Sequence, residues 1–146
     1  MKLPEELQFM ANARMAQKTT DARMDGRVCI ITGATSGVGY QAAKRLAQGG
    51  AHLVMVCRNR EKTARVQEEL KREYAAQIDV VLADFSRLVE VRKAADTLMA
   101  NYPRIHVLIN NAGVHHTHRK LNEDGLETVF CVNHLASFLL TRLLLD

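Results

Sequence analysis

Three glycines after a short β-branched run form the stretch of the sequence with the clearest chemical potential. Gly33, Gly37 and Gly39 follow residues 28–32 with the spacing Gly-x-x-x-Gly-x-Gly. The strand, turn and helix that this pattern predicts would present unpaired N–H groups at the positive end of a helix dipole, which suits an anion. The spacing matches neither Gly-x-Gly-x-x-Gly nor a phosphate loop ending in Lys-Ser/Thr. An ordinary tight turn therefore stays open as the alternative.

Polar clusters follow each of the other three predicted strands. Residues 57–60 read Cys-Arg-Asn-Arg, residues 84–86 read Asp-Phe-Ser, and residues 110–113 read Asn-Asn-Ala-Gly. In a doubly wound sheet, ligands bind beyond the carboxyl ends of the strands, where the strand order reverses. The glycine loop and these three clusters therefore predict one binding site at one edge of a sheet.

The end of the second strand bears on which dinucleotide would bind. An NAD site usually places a carboxylate there for the ribose diol, whereas arginine accommodates a 2′-phosphate. This sequence has Cys57 and then Arg58, with no acidic residue at the strand end. Arginine makes forked, charge-assisted contacts with phosphate. We therefore expect NADP(H) to be preferred over NAD(H), the alternative being that Arg58 is an ordinary surface residue.

The elements that must position these clusters alternate along the chain. The pattern predicts strands over 27–32, 51–57, 78–83 and 105–110, and helices over 37–48, 60–74, 86–101 with Ser86 as cap, and 125–146. Such alternation implies parallel βαβ units, so the expected fold class is α/β, a Rossmann-type doubly wound parallel sheet. Residues 1–25 are predicted to form a helix (4–18) and a polar linker, and residues 26–146 the N-terminal part of an NAD(P)-binding domain.

Composition narrows the class of protein further. The 146 residues carry a net charge of +4, and only 5% of them are aromatic. Scattered charge and few aromatic residues argue against a nucleic-acid partner. No apolar run reaches about 18 residues, so no membrane span is predicted. Cys29, Cys57 and Cys131 form no Cys-x-x-Cys motif, which favours reduced thiols in a cytoplasmic protein.

Two of these motifs together resemble the short-chain dehydrogenase/reductase family. They are Thr32-Gly33-x-x-x-Gly37-x-Gly39 and, later, the Asn-Asn-Ala-Gly of residues 110–113, each after a predicted strand. The resemblance covers residues 26–146. It implies an oxidoreductase that transfers a hydride between a nicotinamide cofactor and a small-molecule alcohol or carbonyl. Residues 132–141 further resemble retinol-dehydrogenase-like and protochlorophyllide-reductase-like members, which hints at an apolar substrate.

The resemblance also implies roles for single residues. Asp84 would meet the adenine amine, or else favour the dipole of the following helix. Asn111 would line the nicotinamide ribose, or else satisfy buried backbone groups. Asn133 would be the one catalytic residue, holding a water beside the family's lysine, or else a satisfied core residue. The implied cofactor-binding residues are Gly33, Thr35, Ser36, Gly37, Val38, Gly39, Arg58, Asn59, Asp84, Phe85, Asn111, Ala112 and Gly113.

The rest of the family's catalytic set is not expected in this chain. Its serine, tyrosine and lysine lie after the fourth helix in the family, so the 146 residues would be a cofactor-binding half, inactive alone and apparently truncated. Tyr40-x-x-x-Lys44 matches the family's Tyr-x-x-x-Lys in letters but lies on the first helix, so no catalytic role is assigned to it.

The His115-His116-x-His118 run lacks a completing carboxylate or cysteine, so no metal site is predicted.

The predicted topology leaves surfaces that need a cover. The strand order 3-2-1-4 would make the fourth strand a sheet edge, although its sequence lacks the usual edge protection. The fourth helix would present apolar residues with few partners, namely Phe138, Leu139, Leu143 and Leu144. We therefore expect a longer natural chain or a homo-oligomer through residues 125–146. A non-catalytic nucleotide-binding or regulatory module, and a structural dimerising fragment, are the alternatives to an enzyme.

Overall fold

A four-stranded parallel sheet organises the chain. The computed structural model describes residues 20–145, and the helix predicted over 4–18 lies outside them. The strands are β1 (Val28–Thr32), β2 (His52–Cys57), β3 (Ile78–Leu82) and β4 (Val107–Ile109). Their order is β3-β2-β1-β4 and all neighbouring pairs are parallel, which confirms the predicted Rossmann-type sheet.

Helices cover both faces of this sheet. They are α1 (Gly37–Gln48), α2 (Arg60–Tyr74), α3 (Leu88–Asn101) and α4 (Thr128–Leu145). Successive strand residues point to opposite faces. Ile31 and Met55 accordingly pack with residues of α1 and α2, whereas Ile30 and Val54 pack with residues of α3 and α4. Burial on both faces explains why the strands are almost wholly apolar.

Two helices begin later than predicted. Ser86 does not cap α3, because its N–H and hydroxyl both donate to Asp84 Oδ1, at 2.9 and 2.8 Å, and α3 starts at Leu88. The last helix starts at Thr128, because the Glu127 carboxylate accepts the N–H groups of Val129 and Phe130 and so caps it. The predicted Ser86 cap and the predicted start at residue 125 were therefore wrong.

β4 is the edge strand beside β1, as predicted, and its three residues are half-buried. His106 extends the pairing through its side chain. The backbone N–H of His106 donates to Val28 O, and the ring nitrogen Nδ1 of His106 accepts from the backbone N–H of Val28, each at 3.0 Å. Burial, together with the positive charges of Arg104 and Arg27, lowers the pKa of His106, which favours the neutral imidazole that this hydrogen bond requires.

The exposed side of α4 differs in detail from the expectation. Leu139, Leu143 and Leu144 are half-buried against the core cluster beneath α3 and α4. Phe130, Phe138 and Leu145 are instead the large apolar side chains of this helix that stay open, at 52%, 60% and 70% exposure. The aromatic rings stack along the helix through His134, with centroid distances of 5.2 Å to Phe130 and 6.5 Å to Phe138.

Length and composition alone would let α4 cross a membrane. It has 18 residues with a mean hydropathy of 1.5, and 28% of them are buried within the fold. Within residues 20–145 it is the one helix that meets this test, which the core helix of a soluble protein can also meet.

Candidate functional site

A cleft of about 410 Å³ opens where β1, β2 and β3 end and where the chain leaves β4. It is lined by residues from all four predicted clusters. Those members are Gly33, Thr35, Ser36, Val38, Gly39, Arg58, Asn59, Asp84, Phe85, Asn111, Ala112 and Gly113. Gly37 and Asn133 do not line the cleft but lie next to residues that do. The topology therefore brings the predicted clusters to one place.

The three glycines of the loop meet different physical demands. Gly33 has φ +70°, and a Cβ on it would lie 2.8 Å from Ala112 Cα. A Cβ on Gly39 would lie 2.3 Å from Asn111 Nδ2 and 2.5 Å from Gly33 O. Gly37 has φ +57°, yet a Cβ there would meet nothing within 4 Å. Close packing therefore requires glycine at positions 33 and 39. At position 37 glycine is favoured because the backbone is left-handed, and the space beside it is open.

A hydrogen-bonded brace joins the glycine loop to the segment after β4. The buried Thr32 hydroxyl accepts from Asn111 N at 3.0 Å and Ala112 N at 2.9 Å. The Asn111 side chain donates in return to Thr32 O and Gly33 O, both at 3.0 Å. Asn111 therefore satisfies buried backbone groups, and its direct contact with a ligand stays a prediction. Sequence reasoning missed the role of Thr32, although a threonine directly before the first glycine was a usable signal.

The N-terminus of α1 is suited to an anion. Ser36 occupies the N-cap position with extended backbone, its side chain makes no capping bond, and the first turn holds no acidic residue. The first N–H groups of a helix have no partner within the helix, and its dipole is positive there. A phosphate group placed beside Ser36 and Val38 would meet those groups without competition from a carboxylate.

Two cations flank the end of the cleft formed by β2 and α2. Arg58 is 68% exposed, and its guanidinium lies 4.0 Å from Asp84 Oδ2. Lys62 also lines the cleft, although sequence reasoning missed it. The available signal was the place of Lys62 in the first turn of the predicted helix over 60–74, close after the end of the second strand. Asn59 Oδ1 accepts from Lys62 N at 2.8 Å and so caps α2.

A tight turn after β3 forms another wall of the cleft. Asp84 Oδ1 accepts hydrogen bonds from both the N–H and the hydroxyl of Ser86, and Asp84 N donates to Glu90 Oε2 at 2.7 Å. Phe85 is buried against the core at 5% exposure. The remaining lining residues, which were not predicted as site residues, are Val56, Cys57, Lys62, Ala83, Val114 and Val132.

Asn133 belongs to a π-helical segment, Cys131–Ala136, in the middle of α4. Such segments are uncommon and are frequent at functional sites. The Asn133 side chain accepts from Val114 N at 2.8 Å and donates to Val114 O at 3.0 Å. It therefore fastens the loop after β4 to α4, next to Gly113. Its catalytic role stays a prediction.

The other sequence motifs lie away from this chemistry. Tyr40 donates to Glu69 Oε1 at 2.5 Å, and Lys44 Nζ lies 3.0 Å from Glu73, so both contact α2. The hydrogen bond to Glu69 raises the pKa of Tyr40, which is opposite to the shift that a proton-transferring tyrosine needs at neutral pH. Among residues 20–145, no three His, Cys, Asp or Glu side chains are arranged to hold a metal ion.

Comparison with known proteins agrees with this arrangement. Residues 27–146 match the family model described as short chain dehydrogenase. Retinol dehydrogenase 12 from Mus musculus is 39% identical over 129 residues, which are 88% of this chain and 41% of that protein. Short-chain dehydrogenase TIC 32 B, chloroplastic, from Brassica napus is 42% identical over 118 residues, 80% of this chain and 37% of that protein.

A solved structure extends the agreement to the backbone. A metagenomic short-chain oxidoreductase in complex with NADP superimposes with a TM-score of 0.73 and 28% identity, over 82% of this chain and 55% of that one. The chain spans less than half the length of the curated relatives it matches. Because the family model matches from β1 to the last residue, this chain belongs to the short-chain dehydrogenase/reductase family, as its two motifs predicted.

Proposed function

We propose that this chain binds NADP(H) and serves as the cofactor-binding part of an NADP(H)-dependent oxidoreductase. The observation that carries the proposal is the pair of cations, Arg58 and Lys62, at an end of the cleft where no carboxylate follows β2. A carboxylate at that position would select the ribose diol of NAD, whereas cations favour the 2′-phosphate of NADP. The metagenomic relative was solved in complex with NADP, which supports the binding of this cofactor.

The cleft residues fit the parts of such a nucleotide. The uncapped N-terminus of α1 would receive the diphosphate, and Arg58 with Lys62 would hold the 2′-phosphate. Asp84 would accept from the adenine amine, and the loop that carries Gly113 would contact the nicotinamide ribose. When bound, the nucleotide supplies or accepts a hydride. The chain itself binds and orients it.

Arg58 is free to turn towards a phosphate. Its ion pair with Asp84 spans 4.0 Å and involves a guanidinium that is 68% exposed, so solvent screens most of the attraction. A phosphate offers the forked, charge-assisted geometry that this long contact lacks. Ligand binding would therefore cost little of the stability of the free domain.

Replacing Arg58 by alanine tests the cofactor preference. Hydrogen bonds to charged groups contribute about 1.5–3 kcal/mol, which is about ten- to a hundredfold in Kd. We expect wild-type protein to bind NADPH more tightly than NADH, and Arg58→Ala to lose about that factor for NADPH with little change for NADH. Isothermal titration calorimetry with both nucleotides measures each value.

Arg60→Ala is the matched control for this experiment. Arg60 begins α2 only two residues away, but it lines a different groove, at the outer edge of β3. Tighter binding of NADH than of NADPH, or an equal loss in both variants, would contradict the assignment of Arg58. Binding of neither nucleotide by wild-type protein would favour the structural alternative.

We further propose that the complete protein acts on an apolar alcohol or carbonyl compound. The mouse relative is named for retinol, an alcohol with a long apolar chain. Val38 is 81% exposed at the cleft, and Val114 lines it as well, which gives an apolar surface there. Residues 20–145 are not expected to catalyse alone, since Tyr40 and Lys44 are bonded to α2 carboxylates away from the cleft.

Self-association through α4 is the proposed role of its exposed aromatic side. Phe138→Ser should lower the molar mass measured by light scattering at a given concentration, because it removes apolar area from that side. Met99→Ser is the control, since Met99 is exposed on α3. An unchanged mass for Phe138→Ser would exclude this interface.

We also propose a cytoplasmic location, supported by three buried free thiols; recovery with membranes after cell fractionation would instead place α4 in lipid.

A further inference from the structure

We propose that Asn122 is a positioning residue for the adenine end of the cleft. It holds the turn of residues 84–86 against α4 without lining the cleft itself. The inference rests on the proposed nucleotide binding and extends it to a residue outside the motifs. Its basis is a continuous chain of hydrogen bonds from Asn122 through Ser86 to Asp84.

The side chain of Asn122 uses both ends of its amide. Oδ1 accepts from Asp124 N at 3.0 Å and Leu126 N at 2.8 Å, which closes the turn before α4. Nδ2 donates to Ser86 O at 2.8 Å and contacts Cys131 Sγ at 3.4 Å. The oxygen therefore builds the local turn, while the nitrogen reaches across 36 residues of sequence to the other segment.

The second half of the chain of bonds fixes Asp84. Ser86 donates its N–H and its hydroxyl to Asp84 Oδ1, which orients that carboxylate. Its other oxygen, Oδ2, is then the one that lies 4.0 Å from Arg58. Asp84 and Phe85 both line the cleft, so a shift of Ser86 would move a wall of the site.

Buried contacts beside Asn122 make this link firmer than the surface link that runs parallel to it. Cys131 is fully buried and its Sγ lies 3.6 Å from Phe85 O, and burial raises the pKa of its thiol, so it remains a neutral donor. The parallel link is the ion pair of Arg87 with Glu123, at 3.2 Å. Both of its side chains are exposed, so water screens it.

Asn122→Asp separates the two functions of the amide. The carboxylate keeps oxygens for the N–H groups of Asp124 and Leu126 but loses the donor to Ser86 O. Adenosine 2′,5′-bisphosphate, which carries only the adenine end of NADP, is the probe, and calorimetry on the full 146-residue chain gives its Kd. We expect the Kd to rise about tenfold relative to wild-type protein near neutral pH.

The pH dependence of that defect distinguishes positioning from general damage. A protonated carboxyl regains a donor for Ser86 O. The nearby carbonyl oxygen raises the pKa of the introduced carboxyl, whereas the N–H groups of Asp124 and Leu126 lower it. The ratio of variant to wild-type Kd, taken at each pH, should shrink as the pH falls from about 7.5 towards that pKa. Protonation of the probe affects both proteins equally and cancels in the ratio.

Asn101→Asp, at the exposed end of α3, is the matched control and should bind as wild-type protein does. A lower melting temperature for Asn122→Asp with an unchanged Kd would overturn the proposal, because the residue would then be only structural. If Asn122→Asp does not fold, Asn122→Ser replaces it, because its hydroxyl can still accept in the turn before α4 but is too short to reach Ser86 O; a raised Kd supports the proposal and an unchanged one overturns it. Failure of wild-type protein to bind the probe would instead refute nucleotide binding itself.

Discussion

Replacing Gly37 by valine should abolish nucleotide binding while the chain stays folded. Gly37 begins α1 between two residues that line the cleft, and a Cβ there would point into open space, where we place the diphosphate. A branched side chain would occupy that space and cover the first N–H groups of the helix. We expect the Kd for NADPH to rise by at least about a hundredfold, which corresponds to about 2.7 kcal/mol, as measured by calorimetry.

Gly26→Val supplies a matched control for the backbone strain. Gly26 has φ +70°, close to the +57° of Gly37, and a Cβ on it would also meet nothing within 4 Å. Each valine should therefore cost about 1–2 kcal/mol of stability through its left-handed conformation. Only the Gly37 variant should lose binding. Normal NADPH affinity in that variant would show that the glycine loop is merely a turn.

Replacing Gly39 by alanine should damage the fold itself. The added Cβ would lie 2.3 Å from Asn111 Nδ2 and 2.5 Å from Gly33 O, so the Asn111 amide would have to move. That movement would leave the carbonyls of Thr32 and Gly33 without their donor. Overpacking together with an unsatisfied buried group predicts a loss of about 3 kcal/mol or more in the free energy of unfolding, measured in urea.

A loss of stability in Gly39→Ala would point specifically to the close packing of the loop on Asn111. Alanine usually stabilises a helix relative to glycine by about 1 kcal/mol, so destabilisation at a helical position needs a specific cause. Gly49→Ala is the control, since Gly49 has φ −74° and a Cβ there would come no closer than 3.4 Å to its neighbours. A Gly39 variant as stable as wild-type protein would contradict the close packing of the loop on Asn111.

The sequence predicted the elements whose signals are local. The predicted bounds of α2 agree with the structure, in which Asn59 provides a local cap immediately before the helix. The strand order and the location of the cleft also followed, because apolar strands alternating with helices leave few topologies and put the strand ends together. Gly33, Arg58 and Asp84 were predicted to meet at the cleft in this way, since each directly follows a predicted strand, and all three line it.

The features that were missed depend on partners distant in the sequence. Ser86 looked like a helix cap, but its hydroxyl turns to the carboxylate of Asp84 and donates to it, and the helix begins two residues later. Asn122 gave no signal, because its donor finds Ser86 O only after β3 and α4 come together. The π-helical turn around Asn133 likewise has no pattern of its own, since an extra residue in one turn is set by packing on both sides.

The brace between Thr32 and Asn111 has a thermodynamic consequence. It holds the two loops of the cleft together through bonds that do not involve a ligand. The conformational entropy of those loops, about 1–2 kcal/mol for each residue fixed, is therefore lost during folding and not during association. Such preorganisation leaves more of the interaction energy available as affinity. By linkage, a nucleotide that binds this preformed shape also shifts the folding equilibrium towards the native state.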